Sequence, residues 1–167
     1  MHSITIQDIP YRADSENLFA ALRDLPDAIW LDSGKPRSLQ GRFDIISACP
    51  DALIETRGEL STITNSDGVS TSTEDPFSLV KTLLEPLFGV DSTLSAHPFV
   101  GGIMGYFGYD LGRHLVDIPD RTDRVADLPD MRVGRYLWSL VINHSAQQSQ
   151  LYFCLLYTSD AADEEDS

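Results

Sequence analysis

Residues 101–113 constrain the fold of this chain more than any other stretch, because they hold five glycines and three aromatic residues. Glycines at this density let neighbouring backbones approach closely and allow a bend or bulge in a strand. A phosphate-binding loop is the alternative, but the G-x-G-x-x-G fingerprint would require glycine where Ile103 stands, and no GK[ST] follows. We therefore predict a structural segment in which Tyr106, Phe107 and Tyr109 pack around the glycines.

The composition describes a soluble globular chain. Its 167 residues fit one domain with a single core, and 42% of them are hydrophobic against 23% charged. A formal charge of −14 opposes nucleic-acid binding, which needs a basic face. No apolar run reaches the roughly eighteen residues of a membrane helix, and residues 1–8 lack the features of a signal peptide. We therefore expect a cytoplasmic protein that contacts neither nucleic acid nor membrane.

The hydrophobic pattern predicts short antiparallel strands and two helices. Asp14 precedes one helical stripe of apolar residues, which runs to Leu25, and Asp75 precedes the other, so both are expected N-caps. Pro76 fits the first position of the second helix, whose stripe runs to Phe88. The predicted strands are 4–9, 28–31, 42–48, 53–57, 60–64, 69–73, 131–144 and a last one that begins at 150. No linker or repeat interrupts this order, so no internal domain boundary is expected before the tail.

The residues alone form no catalytic or metal-binding pattern. Cys49 and Cys154 are far apart, and Cys49 ends an apolar strand pattern, which predicts a small buried hydrophobe. The four histidines lack a second ligand at metal spacing, and no nucleophile elbow is present. We therefore predict no catalytic residue and no metal ligand within this chain.

Several segments resemble one known family. In chain order they read WLDSG, GRFDIISACP, STEDPFSLVKTLLE, GGIMGYFGYDLGRHLVDIP and DLPDMRVGRYLWSLVINH, and the resemblance extends over nearly the whole chain up to about Phe153. In this order they resemble the N-terminal domain of the chorismate-utilising enzymes anthranilate synthase component I and aminodeoxychorismate synthase component I. The resemblance implies an α+β fold, an antiparallel β-sandwich with flanking helices, of which this chain is an incomplete N-terminal part. The spellings LDSG, GRFD and GYDLGR favour the aminodeoxychorismate branch.

The resemblance also implies an activity for a longer parent protein. That enzyme would convert chorismate, with ammonia from a glutamine amidotransferase component II, to 4-amino-4-deoxychorismate for para-aminobenzoate and folate. Mg²⁺ and the catalytic residues would lie in a C-terminal domain that this chain lacks, so the fragment is expected to be inactive alone. The alternatives are a fragment of anthranilate synthase component I, from tryptophan biosynthesis, or a non-catalytic tryptophan-binding module.

A tryptophan site is the one binding site that the resemblance places in this chain. The residues alone predict only a turn at Ser33 and Gly34. By resemblance, Ser33 would bind the polar groups of the amino acid, and hydrophobic neighbours would flank its indole ring. The implied tryptophan-binding residues are Leu31, Ser33, Gln40, Gly41, Arg42 and Phe43.

The last residues differ in character from the rest. Residues 154–164 correspond to an in-frame translation of a transposase sequencing adapter, and five acids lie in the final eight positions. We therefore divide the chain into an anthranilate synthase component I-like N-terminal domain, residues 1–153, and a disordered tail of adapter origin, residues 154–167.

Overall fold

The computed structural model describes residues 3–35, 41–87, 97–114, 116 and 127–155 of the chain. Within these ranges the fold consists of two five-stranded antiparallel sheets and two α-helices. The predicted α+β class is therefore confirmed, and so is the antiparallel character of the sheets. No described helix exceeds nine residues, and none has the length and apolarity that a membrane span requires.

The first sheet joins the two ends of the described chain. Its first and last strands pair from Ser3 opposite Leu155 to Ile9 opposite Ser149. In spatial order, the sheet consists of β1 (Ser3–Ile9), β10 (Gln148–Leu155), β9 (Trp138–Asn143), β3 (Phe43–Ser47) and β2 (Ile29–Leu31).

The second sheet is built around a hairpin meander. In spatial order, it consists of β6 (Gly68–Ser72), β5 (Leu60–Asn65), β4 (Ala52–Arg57), β8 (Met131–Tyr136) and β7 (Gly102–Phe107). The glycine-rich stretch therefore contributes an edge strand. A Cβ atom on Gly105 would lie 2.1 Å from the backbone oxygen of Arg132 on β8. The predicted close approach of backbones is thus confirmed at this position. The predicted packing of Tyr106, Phe107 and Tyr109 around the glycines is wrong, because these side chains are 39%, 52% and 97% exposed and Phe107 stacks on Phe77 instead.

The chain passes between the sheets at two neighbouring points. Between β3 and β4, Cys49 adopts a φ of 54° and its N–H donates to the Pro26 carbonyl at 2.7 Å. Between β8 and β9, Leu137 interrupts the ladder, and its carbonyl accepts from the N–H of Cys154 at 2.7 Å. The prediction of one strand over residues 131–144 is wrong because pairing with two different sheets divides the segment. Cys49 is exposed rather than buried, because it lies in this crossing and not in the strand.

Side chains tie the two crossings together. The Ser47 hydroxyl donates to the Trp138 carbonyl at 2.6 Å, and Nε1 of Trp138 donates to the Ala48 carbonyl at 2.8 Å. These reciprocal bonds satisfy polar groups at the point where both strand ladders end.

Both helices begin where the sequence predicts. Helix α1 (Ser15–Leu22) has Asp14 as N-cap, with Oδ1 accepting from the N–H of Asn17 at 3.1 Å. Helix α2 (Pro76–Leu84) has Asp75 as N-cap, with Oδ2 accepting from the N–H of Ser78 at 2.9 Å. A single turn of 3₁₀ helix follows at Glu85–Leu87, and a 3₁₀ helix of six residues spans Tyr109–His114. Phe88, predicted as the end of the second helical stripe, lies outside the described residues.

Each sheet buries one helix in its own apolar cluster. Helix α1 covers the first sheet, where Ile46, Leu140 and Ile142 form the buried centre. Helix α2 covers the second sheet, where the buried centre comprises Ile54, Leu79, Leu111, Met131 and Val133. The first cluster positions the polar site described next, because β3 carries both the apolar Ile46 and the acidic Asp44.

Candidate functional site

A buried carboxylate on β3 organises the polar site of this fold. Asp44 is 0% exposed and accepts four hydrogen bonds. Oδ1 accepts from the N–H and the hydroxyl of Ser33 at 2.8 and 2.7 Å. Oδ2 accepts from the Ser15 hydroxyl at 2.5 Å and lies 2.9 Å from Nε2 of His144. A buried charge normally requires such full pairing.

The four donors come from three distant parts of the chain. Ser15 is the first residue of α1, Ser33 follows β2, and His144 follows β9. Pairing of β3 with both β2 and β9 brings the ends of these strands beside Asp44. The carboxylate therefore fastens the start of α1 and two strand ends to the centre of the first sheet.

The hydrogen bonds keep Asp44 ionised. Burial alone would raise the pKa of its carboxyl group, but hydrogen bonds from Ser15, from the Ser33 backbone, from His144 and from the Ser33 hydroxyl together lower it below the ordinary value. An ionised carboxylate can only accept, so both serine hydroxyls must donate their protons to Asp44.

Tyr11 extends this network through His144. Because Asp44 accepts, Nε2 of His144 carries a proton, and Nδ1 lies 3.2 Å from the Tyr11 hydroxyl. The two rings meet edge to face, with centroids 6.2 Å apart. The His144 N–H also donates to the Arg42 carbonyl at 2.9 Å, which fixes the turn after β9 against the start of β3.

Two cavities flank the Asp44 network. The larger, of about 390 Å³, has Trp30 and Ser15 in its wall, and Phe19 stacks on Trp30 with ring centroids 5.5 Å apart. Its remaining lining residues are Ala13, Asp14, Glu16, Asp32, Gly34 and Lys35. The smaller, of about 240 Å³, is lined by Tyr11, Ala13, Lys35, His144 and Ser145. The larger cavity thus combines an aromatic wall with a predominantly acidic rim.

The structure brings together some of the residues assigned to the tryptophan site. Ser33 is half-buried on Asp44, and Gly41 contacts it so closely that a Cβ atom would lie 2.2 Å from the Ser33 carbonyl oxygen. Phe43 lies below the Arg42 guanidinium, whose Cζ is 4.6 Å from the ring centroid. Leu31 is 49% exposed at the end of β2. Gln40 lies outside the described residues.

Sequence reasoning missed Asp44, Ser15, His144 and Tyr11. The strand pattern does not mark Asp44 as inward-facing, because the apolar Phe43 and Ile45 flank it, and only the structure places it on the same buried face as Ile46. A carboxylate at an inward-facing strand position predicts buried partners. Which partners they are depends on strand pairing, and the sequence pattern does not specify that pairing.

The described residues contain no group of three or more His, Cys, Asp or Glu side chains that could hold a metal ion. The Asp44 carboxylate has its lone pairs occupied by four donors, so it is a poor general base. The larger cavity places the flat apolar surface of Trp30 beside the carboxylates of Asp14, Glu16 and Asp32.

No family model matches the chain. Among solved structures, anthranilate synthase component I from Streptococcus pneumoniae superposes with a TM-score of 0.54 at 23% identity, over 78% of this chain and 27% of that one. The fold is thus that of part of an anthranilate synthase component I.

In sequence, the chain is similar to component 1 of aminodeoxychorismate synthase. Identity is 39% over 91% of this chain with the Klebsiella aerogenes protein, and 36% over 80% with that of Escherichia coli. Anthranilate synthase component 1 of Mycobacterium tuberculosis is 31% identical over 71% of the chain. These matches confirm the resemblance read from the motifs. The chain spans about a third of the length of the aminodeoxychorismate synthase proteins, 34% and 30% respectively.

Proposed function

We propose that this chain is the N-terminal part of an aminodeoxychorismate synthase component 1. The longer cytoplasmic protein would convert chorismate and ammonia to 4-amino-4-deoxychorismate, on the route to para-aminobenzoate and folate. Ammonia would come from a glutamine amidotransferase component II, and Mg²⁺ would bind in the chorismate-binding domain outside this chain. The fragment itself would have no catalytic activity.

One observation carries this proposal. Identity with the aminodeoxychorismate synthase proteins of three enteric bacteria is 36–39% over 80–91% of the chain, whereas the anthranilate synthase proteins reach 28–31% over 71–84%. The preference for the aminodeoxychorismate product follows from this difference in identity and coverage.

Product analysis of the longer protein tests the proposal. The complete gene product, supplied with chorismate, ammonium and Mg²⁺, should form 4-amino-4-deoxychorismate, identified by chromatography and mass. The 167-residue chain under the same conditions should leave chorismate unchanged. Formation of anthranilate by the longer protein would instead establish the alternative, an anthranilate synthase.

We further propose that residues 154–167 derive from a sequencing adapter. The observation behind this is the match of residues 154–164 to a translated adapter sequence. In the structure, β10 extends to Leu155, so the boundary at residue 153 falls within a strand. An independent read of the source DNA should depart from this sequence after the codon for Phe153 and continue into a chorismate-binding domain. A read that reproduces residues 154–167 would contradict the adapter origin.

Tryptophan binding is the second function we propose for this chain. Its support is the cavity beside Ser33, whose volume and aromatic wall suit an indole ring. Calorimetry on the full chain should show saturable tryptophan binding that is lost in Ser33→Ala. Ser66→Ala, in the exposed turn before β6, is the matched control and should bind normally. Equal binding by Ser33→Ala and the wild type would remove Ser33 from the site.

A further inference from the structure

We propose that Asp44 is a positioning residue that makes the neighbouring cavity selective for the ammonium end of an amino acid. The inference rests on the proposed binding of an amino acid there and specifies which of its polar groups the cavity recognises. It concerns the direction of two hydroxyl groups, those of Ser15 and Ser33.

The direction of these hydroxyl groups follows from the Asp44 hydrogen bonds. Each serine has a single hydroxyl proton and donates it in a hydrogen bond to Asp44. The oxygen–oxygen distances are 2.5 Å from Ser15 and 2.7 Å from Ser33. Each oxygen then presents only lone pairs to anything else that approaches it. The serines can therefore accept a hydrogen bond from a ligand, but they cannot donate one to it.

The position of the serines makes this polarity relevant to a ligand. Ser15 is 5% exposed and lies in the wall of the larger cavity. Ser33 does not itself line the cavity, but its chain neighbours Asp32 and Gly34 do. A ligand N–H group in this cavity can therefore donate a hydrogen bond to the Ser15 hydroxyl oxygen. Without Asp44, the same hydroxyl could instead donate its proton to the ligand.

The charge of the cavity rim agrees with the same ligand group. Asp14, Glu16 and Asp32 contribute carboxylates, against one ammonium group from Lys35. A cation is favoured by this balance, and a ligand carboxylate is opposed by it. Trp30, on which Phe19 stacks, supplies the aromatic wall for the apolar part of the ligand.

A ligand series separates the two ends of the amino acid. We expect the full chain to bind tryptophan and tryptamine, which share the ammonium group, at affinities within about tenfold of each other. Indole-3-propionate, which has the carboxylate alone, should bind at least about tenfold more weakly, since one charge-assisted hydrogen bond is lost. Binding of indole-3-propionate without binding of tryptamine would overturn the inference.

Substitution of Asp44 tests its role directly. Asp44→Asn should weaken tryptamine binding by about tenfold or more and reduce the preference for tryptamine over indole-3-propionate, because the serine hydroxyls can then donate. A role in folding alone would leave that preference unchanged, which would overturn the inference. Asp67→Asn, in an exposed turn, is the control and should bind both compounds as the wild type does.

Two further outcomes separate this inference from the proposals on which it builds. If circular dichroism shows that Asp44→Asn does not fold, Ser15→Ala and Ser33→Ala decide: each should weaken tryptamine and leave indole-3-propionate unchanged. Binding of tryptamine without tryptophan would refute the tryptophan site and leave the ammonium preference standing. Failure of both to bind the wild type would overturn the inference, while the product assay on the longer protein remains a separate test.

Discussion

Removal of the Asp44 side chain should destabilise the first sheet more than any exposed substitution. In Asp44→Ala, the hydroxyl of Ser15, the N–H and hydroxyl of Ser33 and Nε2 of His144 all lose their acceptor. Each such loss costs about 1 kcal/mol net, and an orphaned donor costs up to about 3 kcal/mol. Relief from burying a charge offsets part of the sum. We expect the free energy of unfolding to fall by about 3–5 kcal/mol.

Urea denaturation of the full chain, followed by circular dichroism, measures this loss. Asp44→Asn keeps one carbonyl oxygen as acceptor, so it should lose only about half as much as the alanine variant. Asp67→Asn lies in an exposed turn and should stay within about 0.5 kcal/mol of the wild type. A loss below about 1 kcal/mol in Asp44→Ala would refute the reasoning, because it would mean that the four donors find other acceptors.

Three further predictions concern pH, a strand and a helix. Because its folded-state pKa is lowered, ionised Asp44 stabilises the fold at pH values above its unfolded-state pKa of about 4. Urea titrations at several pH values should show that the stability advantage of the wild type over Asp44→Ala shrinks as the pH falls below that value. An advantage that grew would contradict the lowered pKa of Asp44. Gly105→Ala should lower the free energy of unfolding, measured by urea denaturation, by at least about 2 kcal/mol, because the φ of 152° and a backbone oxygen 2.1 Å from the added Cβ both oppose a side chain. Gly112→Ala is the control: its Cβ would meet nothing within 4 Å, and it should cost less than about 0.5 kcal/mol. Asp75→Ala removes the N-cap of α2 and should lower the thermal midpoint by the equivalent of about 1 kcal/mol; an unchanged midpoint would show that water caps the helix equally well.

Local signals in the sequence sufficed for the helix starts and for most strands. Asp14 and Asp75 each precede an apolar stripe, and a side chain that caps a helix acts within three residues of itself. The hairpin between β5 and β6 follows equally from the turn residues that precede Gly68. Such features depend on neighbours in the chain, so sequence alone predicts them.

The remaining features depend on residues that are distant in the chain. The break at Leu137 cannot be read from residues 131–144, which are apolar enough for one strand, because two different sheets supply its partners. The candidate site shows the same limit. Family resemblance led to Ser33 but not to Asp44, which accepts its hydroxyl proton, or to His144, which also bonds Asp44. Only the pairing of β2, β3 and β9 brings these three residues together.

The pairing of β1 with β10 has a consequence for how the chain is made. A ribosome synthesises a protein from its N-terminus, so the seven residues of β1 emerge long before the strand that pairs with them. Until Gln148–Leu155 has been synthesised, β1 has no paired strand among the described residues, and β9 lacks a neighbour on one of its two edges. The first sheet can therefore close only after the segment up to Leu155 has been synthesised, and a nascent chain stalled before that point would expose β1 and one edge of β9 to chaperones or to aggregation.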